Sequence, residues 1–343
     1  MRNIVVSLLV IITCSSGTFS QTSNPAQYKY VFTVAKDGTG DYAFIQDAID
    51  AMRVFPLAPI TLYIKNGVYH EKIELPSTKT DVTFIGESVD KTIISFDDYS
   101  GKGKLNTFNS FTAKIAGNRF VAENICFINA AGPVGQAVAL HVEADMAVFR
   151  NCKFLGNQDT IYAGGENARQ YFVGCYIEGT TDFIFGPATV VFQSCRIKAK
   201  ANSYITAANT PRGKSFGFVF LDCKIETDTG INKVYLGRPW RGFSRTAFIR
   251  CELPKQIAPE GWNNWGNSEN ERTALYAEYK NKGEGAGVKN RVRWCKQLTA
   301  KEAKKYTAAN IFSLANSTLP ADSKWFGERP SGIFGWPQKS NTE

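Results

Sequence analysis

The sequence contains few of the residues that most often hold metal ions in proteins. Histidine occurs only at His70 and His141, and neither a C-x-x-C pair nor a histidine cluster is present. These absences argue against a zinc site, and we expect neither a metal nor a cofactor. The shortage of histidine also argues against an esterase of the Ser-His-Asp class.

Long apolar runs are also missing. The longest, from Ile4 to Ile12, is too short to span a bilayer, for which about 18 apolar residues are needed. It follows the basic Arg2 and precedes small residues, which predicts a signal peptide over residues 1–20 and an exported protein, extracellular or periplasmic. A lipid anchor on Cys14 is the alternative, but Thr13 fits that signal poorly.

The charge balance is basic. The formal net charge is +9, and removal of residues 1–20 lowers it by only one. A basic surface favours an anionic partner, although it can also serve solubility alone. Because no dense Lys/Arg tract or nucleic-acid motif occurs, and because the chain carries an export signal, we expect an extracellular polyanion and neither nucleic acid nor integral membrane contact.

The cysteines mark a repeat. Seven remain after residue 20, an odd number that leaves at least one unpaired. Five of them end an F-x-x-C motif: Cys152, Cys175, Cys195, Cys223 and Cys251. The spacings of 23, 20, 28 and 28 residues, with a more distant relative at Cys126, are typical of a solenoid.

The residues around each motif predict strands. Short runs of Val, Ile, Phe and Tyr are broken by Gly, Asn and Asp, without a long helical period. Turn-forming residues before most of the cysteines predict a corner between Phe and Cys. These features favour an all-β fold, a single-stranded parallel β-helix with the cysteines as buried apolar groups. A leucine-rich repeat is the competitor, but its consensus is missing.

Two segments predict short helices that cap the ends of the solenoid. Segment 41–53 has Asp41 or Asp47 near its start and an apolar face made of Phe44, Ile45, Ala48, Ile49 and Met52. Near the other end, Thr299 and Glu302 resemble a capping box that leads into one helix over KEAKKYTAANIF. Such terminal elements close the exposed edges of a solenoid.

Two aspartates occupy equivalent positions in consecutive repeats. Asp159 and Asp182 each lie seven residues after a repeat cysteine. Adjacent strands are roughly 4.8 Å apart, so the two carboxylates should stack. Both cannot ionise easily, and we expect one pKa to be raised while the other stays low. A solvated surface ladder is the alternative.

Polar and aromatic residues surround this pair in the sequence. Gln158 precedes Asp159, and Gln136 lies one repeat earlier, so their amides could donate to an oxyanion. In YLGRPW, Arg238 suits a carboxylate and Trp240 suits the apolar face of a sugar. Taken alone, Arg238 is more often a structural ion pair and Trp240 a packing residue.

Four segments resemble the signature blocks of the pectin methylesterase family: GPVGQAVAL, GNQDTIYA, GTTDFIFG and YLGRPW, in that order. NGVYHEK resembles a further block. The similarity runs from about Val34 to near Phe326 and implies a right-handed β-helix that removes methyl esters from polygalacturonate. It implies one domain over residues 34–326, after a linker at 21–33 and before a tail at 327–343. We expect a monomer without an inhibitor-like domain.

The resemblance also implies roles for the site residues. Asp182, held ionised by Arg238, is the nucleophile, and Asp159 is the acid and base. Gln136 and Gln158 donate to the oxyanion. The residues implied to contact substrate are Trp240, Phe185, Tyr162, Ser110 and Phe111.

Other functions fit the residues less well. A pectate lyase would need a calcium-binding acidic cluster, and a polygalacturonase would need carboxylates spaced for a glycosidic bond. A non-catalytic pectin-binding protein would not need the aspartate pair, and a family member acting on a different ester is a further alternative. Val134 and Gly135 stand where many plant members have Lys-His, which makes the resemblance closer to bacterial members.

Overall fold

The computed structural model describes residues 28–315 and 325–327, apart from the side chains of residues 314 and 315. The predicted signal peptide, most of the predicted linker and nearly all of the predicted tail lie outside these residues. The first strand begins at Val31, inside the segment 21–33 predicted as a linker, because Val31 to Val34 pair with Thr61 to Ile64.

Short parallel strands make up most of the fold. They are β1 (Val31–Val34), β2 (Ile60–Ile64), β3 (Gly67–His70), β4 (Ile73–Leu75), β5 (Val82–Gly86), β6 (Thr92–Phe96), β7 (Ala113–Ile115), β8 (Val121–Glu123), β9 (Cys126–Asn129), β10 (Leu140–Val142), β11 (Ala147–Arg150), β12 (Lys153–Leu155), β13 (Ile161–Ala163), β14 (Arg169–Val173), β15 (Tyr176–Gly179), β16 (Ile184–Gly186), β17 (Thr189–Gln193), β18 (Arg196–Ala199), β19 (Tyr204–Ala208), β20 (Phe218–Leu221), β21 (Lys224–Thr227), β22 (Tyr235–Pro239), β23 (Arg245–Ile249), β24 (Leu275–Tyr279) and β25 (Lys296–Gln297).

Helices are short and lie mainly towards the ends of the fold. They are α1 (Ile45–Ala51), α2 (Ser268–Thr273), α3 (Ala300–Ala303) and α4 (Ala308–Ala315), with 3-10 turns at Thr107–Asn109 and Glu284–Ala286. In the described part of the chain, no helix has the length and apolar character needed to cross a lipid bilayer.

The strands form three parallel sheets. Sheet A has the order β1-β2-β5-β8-β11-β14-β17-β20-β23-β24-β25, sheet B has β21-β18-β15-β12-β9-β6-β3, and sheet C has β22-β19-β16-β13-β10-β7-β4. The chain visits A, B and C in turn, so each circuit adds one coil above the last. The predicted right-handed parallel β-helix is confirmed.

Left-handed backbone makes the corner between sheets A and B. The residue before each repeat cysteine has a positive φ, as predicted for a turn: Asn151 at 47°, Gly174 at 62°, Ser194 at 53°, Asp222 at 54° and Arg250 at 55°. Residues other than glycine adopt this region rarely, and Asn and Asp do so most readily. The corner therefore recurs at the same place in each coil.

Stacked phenylalanines fill the interior beside this corner. Ring centroids lie 4.6 Å apart between Phe149 and Phe172, 5.0 Å between Phe172 and Phe192, 4.6 Å between Phe192 and Phe220, and 4.3 Å between Phe220 and Phe248. All five rings are fully buried. The phenylalanines of the F-x-x-C repeat thus form a continuous aromatic column along the axis of the coil.

The repeat cysteines form a second buried column. Each thiol lies within hydrogen-bond distance of carbonyl oxygens, such as that of Cys175 with Phe149 O at 3.4 Å, and all seven cysteines of the described residues are free. Burial raises the pKa of Cys152 to about 12, which keeps this thiol unreactive. The predicted burial of the five repeat cysteines is confirmed.

Cys126 is not a member of this column. Strand pairing aligns Cys126 with Lys153, one residue beyond Cys152. Ile125 therefore occupies the position equivalent to Cys152, and the relationship predicted from spacing was wrong by one residue. Ile125 is fully buried, so an apolar group still fills the site.

Helix α1 covers the N-terminal end of the coil. Ile45, Ala48 and Ile49 face inward as predicted, whereas Phe44 is 54% exposed. The N-cap is Phe44 and not an aspartate, and the first backbone N–H groups donate to the Glu71 carboxylate at 3.0 Å. This cap comes from a distant residue, which local sequence cannot indicate.

The predicted C-terminal helix is two helices. Thr299 and Glu302 form the expected capping box, but it starts only the single turn of α3, and α4 begins at Ala308. Ile311 and Phe312 of α4 pack on the outer face of sheet A together with Trp325 and Phe326. The break lets the chain turn from the end of the coil onto its side.

We predict that Phe192→Ala destabilises the fold by about 3–5 kcal/mol, because it opens a cavity between two stacked rings in a rigid column. Chemical denaturation would measure the free energy of unfolding. Phe44→Ala, at an exposed position, is the control and should change it by less than about 0.5 kcal/mol. Equal effects of the two substitutions on the free energy of unfolding would contradict a stabilising role of the aromatic column.

Candidate active site

The outer face of sheet C presents one side chain from each coil in a straight column. The parallel register aligns His141 with Tyr162, Tyr162 with Phe185, Phe185 with Ala207, and Ala207 with Arg238. Side chains alternate between the two faces of a strand, so all five face away from the interior. Sequence positions almost 100 residues apart thereby line one surface.

Asp159 and Asp182 lie just before this column in consecutive coils. Both have left-handed backbone, with φ of 66° and 49°, so the two carboxylates leave the chain in the same direction. Ile161 pairs with Ile184, which places the aspartates one coil apart as predicted from the repeat. Both side chains are buried, and no other two acids of the described cleft stack in this way.

Arg238 holds Asp182 through two hydrogen bonds. Its Nε donates to Oδ1 at 3.0 Å and its Nη2 donates to Oδ2 at 2.7 Å. The guanidinium lies between two aromatic rings, 3.9 Å from the centroid of Tyr204 and 3.7 Å from that of Trp265. Stacking on both faces leaves the edge of the guanidinium to the carboxylate and fixes the orientation of the pair.

The two carboxyl groups differ in their pKa. Burial and the charge of Asp182 raise the pKa of Asp159 to about 8, against a smaller opposing effect of Arg238. Burial also raises the pKa of Asp182, so the expectation that this pKa stays low was wrong. Arg238 opposes the rise at Asp182 through hydrogen bonds as well as charge, which leaves Asp182 the more acidic group.

Two glutamine side chains reach the same cleft. Gln136 and Gln158 form a parallel bridge between adjacent coils, and both line the cleft beside Asp159. Across the described residues, no protein group hydrogen-bonds to either side-chain amide. Their N–H groups are therefore available to a bound molecule.

The cleft has a volume of about 250 Å³, and four of its eleven lining residues are aromatic. Its lining residues are Thr107, Phe108, Gln136, Gln158, Asp159, Asp182, Phe185, Ala207, Arg238, Trp240 and Trp265. Tyr162 lies just behind this wall, with its ring 5.0 Å from Phe185 and 5.1 Å from Phe108. The structure thus brings together seven of the ten residues named from the sequence.

Ser110 and Phe111 are not at the surface of the cleft. Ser110 is fully buried, and its hydroxyl donates to Thr107 O at 2.8 Å. Phe111 is 7% exposed, and its ring centroid lies 5.8 Å from that of His141. Thr107 and Phe108, in the 3-10 turn just before Ser110, line the cleft instead.

The sequence repeat does not predict that Trp265 lines the cleft. Trp265 lies between β23 and α2 in an irregular segment, N-N-W-G-N, whose Asn and Gly residues indicate a turn but not its position. The contact with Arg238 depends on how this segment folds back over sheet C. Ala207 and Thr107 are also lining residues that the sequence does not single out.

One pentapeptide, from Gly213 to Gly217, has the G-x-S-x-G spacing of a serine hydrolase elbow. In the structure it joins strand β19 to strand β20, whereas a nucleophile elbow joins a strand to a helix. His141 bonds to Glu143 and Phe108 O, not to Ser215. The arrangement does not make Ser215 a nucleophile.

Ionisation of Asp159 should lower the free energy of unfolding at neutral and alkaline pH. Its pKa is about 8 when folded and about 3.9 when unfolded, so the folded state binds the proton more tightly. The stability that protonated Asp159 contributes is complete below the pKa of Asp159 in the unfolded state. It is lost as the pH rises through the pKa of Asp159 in the folded state. We predict that Asp159→Asn raises the free energy of unfolding by about 1–3 kcal/mol at pH 8 and little at pH 4.

Denaturation at the two pH values tests this prediction. Asp222→Asn is a suitable control, because Asp222 also has a positive φ but is exposed at the corner between sheets A and B, where Arg250 donates to it. A gain that does not depend on pH would show that the pKa of Asp159 is not its source.

Known proteins resemble this chain along most of its length. Residues 31–315 match the family described as Pectinesterase. In Arabidopsis thaliana, probable pectinesterase/pectinesterase inhibitor 58 is 40% identical over 302 residues, which cover 84% of this chain and 52% of that protein. Pectinesterase 31 is 38% identical, covering 79% and 88%. The chain spans about half the length of the first of these relatives.

Solved structures agree in fold. Pectin methylesterase from carrot has a TM-score of 0.79 and 35% identity, covering 82% of this chain and 92% of that one. Pectin methylesterase PemA from Erwinia chrysanthemi has a TM-score of 0.72 and 26% identity, covering 85% and 99%. These identities do not favour the bacterial affinity inferred from Val134 and Gly135. The extent of the family match and the identity to these relatives show that the chain belongs to the pectinesterase family.

Proposed function

We propose that this protein is a pectin methylesterase, which hydrolyses the methyl esters of homogalacturonan to free carboxylates and methanol. The observation that carries the proposal is the buried aspartate pair, one coil apart, with Asp182 held by Arg238 at the base of an aromatic cleft. Membership of the pectinesterase family and the solved pectin methylesterases that the chain resembles support the choice of substrate.

In the first half of the reaction, ionised Asp182 attacks the carbonyl carbon of the ester. The carbonyl oxygen becomes an oxyanion that accepts hydrogen bonds from Gln136 and Gln158. Protonated Asp159 gives its proton to the departing methoxy group, and methanol leaves. The product is an anhydride between Asp182 and the galacturonate carboxyl.

The second half reverses the role of Asp159. Now ionised, it takes a proton from a water molecule, whose oxygen attacks the galacturonate carbonyl of the anhydride. The bond to Asp182 breaks, and both carboxyl groups are restored. A pKa of about 8 suits Asp159 to both tasks near neutral pH, because it is protonated before the reaction and regains its proton afterwards.

Aromatic side chains suit the sugar rings of the polymer. Phe185 and Trp240 line the cleft and can stack on apolar faces of pyranose rings, with Tyr162 supporting Phe185 from behind. Thr107 and Phe108 also line the cleft, whereas Ser110 and Phe111 do not. The same proposal includes export from the cell, directed by residues 1–20, and action as a monomer without a metal or cofactor.

We predict that Asp182→Asn lowers methanol release from highly methylated pectin about a thousandfold or more, because an amide cannot act as the nucleophile. Methanol would be measured with a chelator present, which should not affect the wild type. Asp222→Asn is the matched control and should retain full activity. Wild-type binding to pectin without methanol release would instead favour a pectin-binding protein or an esterase for another substrate.

A second substitution tests the function of Arg238. Without its charge and hydrogen bonds, the pKa of Asp182 should rise further, so Asp182 ionises only at higher pH. Arg238→Ala should move the acidic limb of the kcat/KM profile upward by about one pH unit. The basic limb, set by Asp159, should move less, because only the charge of Arg238 acts there.

The pH profile distinguishes this effect from a general loss of activity. Arg250→Ala removes an exposed arginine with the same two-bond contact to an aspartate and should leave both limbs in place. A lower rate with an unmoved acidic limb in Arg238→Ala would mean that Arg238 does not control the ionisation of Asp182.

A further inference from the structure

Charge is distributed unevenly along the cleft. The cleft lining contains one cation, Arg238, and its two hydrogen bonds go to Asp182. A polymer with free carboxylates therefore finds no available positive charge in the lining itself. Any such charge must come from the rim.

At the end of the cleft near Phe108, three lysines are already paired. Lys72 Nζ lies 2.7 Å from Asp98 and Lys102 Nζ lies 3.0 Å from the same carboxylate, while Lys114 Nζ lies 3.2 Å from Glu74. Their positive charge is largely neutralised by these neighbours. These three lysines therefore offer little attraction to an anion.

At the end near Trp240, two exposed arginines contact rings. The guanidinium of Arg241 lies 5.3 Å from the ring of Trp240, which lines the cleft. The guanidinium of Arg212 lies 5.2 Å from the ring of Phe243, two residues after Arg241. Among the residues that the structure describes, no carboxylate lies within ion-pair distance of either arginine.

Adjacent loops hold the two arginines on the same rim. Arg212 follows β19 and Arg241 follows β22, which are neighbours in sheet C. The buried Ser244 joins the loops, since its hydroxyl lies 2.6 Å from Ala208 O and 2.7 Å from Arg241 O. The backbone N–H of Arg245 also donates to Thr210 Oγ1 at 3.0 Å.

Local backbone directs both arginines outward. A turn closed by Lys214 N–H and Pro211 O places Arg212 at its tip, with Gly213 at a φ of 91°. In the other loop Phe243 has a φ of 68°, a left-handed conformation that is uncommon for a large residue. This conformation places the Phe243 ring under the guanidinium of Arg212.

We propose that Arg212 and Arg241 form a carboxylate subsite that binds unesterified galacturonate units of pectin on the Trp240 side of the ester being cleaved. This proposal rests on the proposed function for the identity of the polymer. Arginine matches a carboxylate with two parallel N–H groups, and a guanidinium already stacked on a ring loses little freedom on binding. Pectin with free carboxylates on this side is then the preferred substrate.

Kinetics on two pectins test the subsite. For the double variant Arg212→Gln/Arg241→Gln, we expect KM for partly demethylated pectin to rise about fivefold, with a clearly smaller rise for fully methylated pectin. The difference should shrink as sodium chloride is added, because salt screens exposed charges. Equal rises on both pectins would overturn the proposal.

Lys280→Gln is the matched control. Lys280 is also an exposed cation near the ring of its preceding residue, 5.5 Å from Tyr279, but it follows β24 in sheet A, away from the cleft. Lys280→Gln removes one positive charge, against two in the double variant, and should leave both KM values unchanged. A preference altered as much by Lys280→Gln as by the double variant would mean that net charge, and not the subsite, selects the polymer.

Calorimetric binding of an unesterified oligogalacturonate separates this proposal from the esterase proposal. Binding by the wild type that is weakened in the double variant and recovered in Arg212→Lys/Arg241→Lys supports the subsite, even if no methanol is released. Methanol release by a wild type whose oligogalacturonate binding is unaffected by the substitutions would retain the esterase and overturn the subsite. Thermal denaturation shows that each variant compared is folded.

Discussion

The parallel register between successive coils is the constraint on which the rest of the structure depends. It places equivalent residues of each coil about 4.8 Å apart along one axis, so any side chain that recurs in the repeat becomes a column. Inside the coil this yields the stacked phenylalanines from Phe149 to Phe248. Outside it yields the surface of sheet C and the aspartate pair. A shift of one residue in one coil would separate Asp159 from Asp182 and move apolar residues into solvent.

The aspartate pair is unfavourable for stability, and its surroundings limit that cost unequally. Burial raises the pKa of both groups, but only Asp182 receives the hydrogen bonds of Arg238. Tyr204 and Trp265 cover the two faces of the guanidinium and leave its edge to the carboxylate. The geometry therefore gives two chemically identical side chains different pKa values. A nucleophile and a proton donor require this difference. Proteins retain such strained electrostatics where function depends on them.

The sequence predicts whatever recurs with the coil and fails where the coil is irregular. The F-x-x-C motif locates the corners, the aromatic column and the aspartate pair because each depends only on position within the repeat. Cys126 was misplaced because coils differ in length, and spacing alone does not set the register. Trp265, Thr107 and the Glu71 cap of α1 lie in segments whose path depends on tertiary contacts. The prediction of a single C-terminal helix was wrong for the same reason, because α4 turns to pack on sheet A.

Strand β22 and the loop after it connect chemistry to substrate selection. Arg238 points to Asp182, Trp240 lines the cleft two residues later, and Arg241 follows at the rim. The alternation of side chains in an extended segment puts Arg238 and Trp240 on the same face, while the turn after Pro239 frees Arg241 from that alternation. One short segment thus supplies two positive charges. That of Arg238 is paired with the nucleophile, and that of Arg241 remains available to the polymer. A substitution that displaces this segment should therefore alter the pH profile and the substrate preference together, whereas the loop of Arg212 can vary with no effect on Asp182.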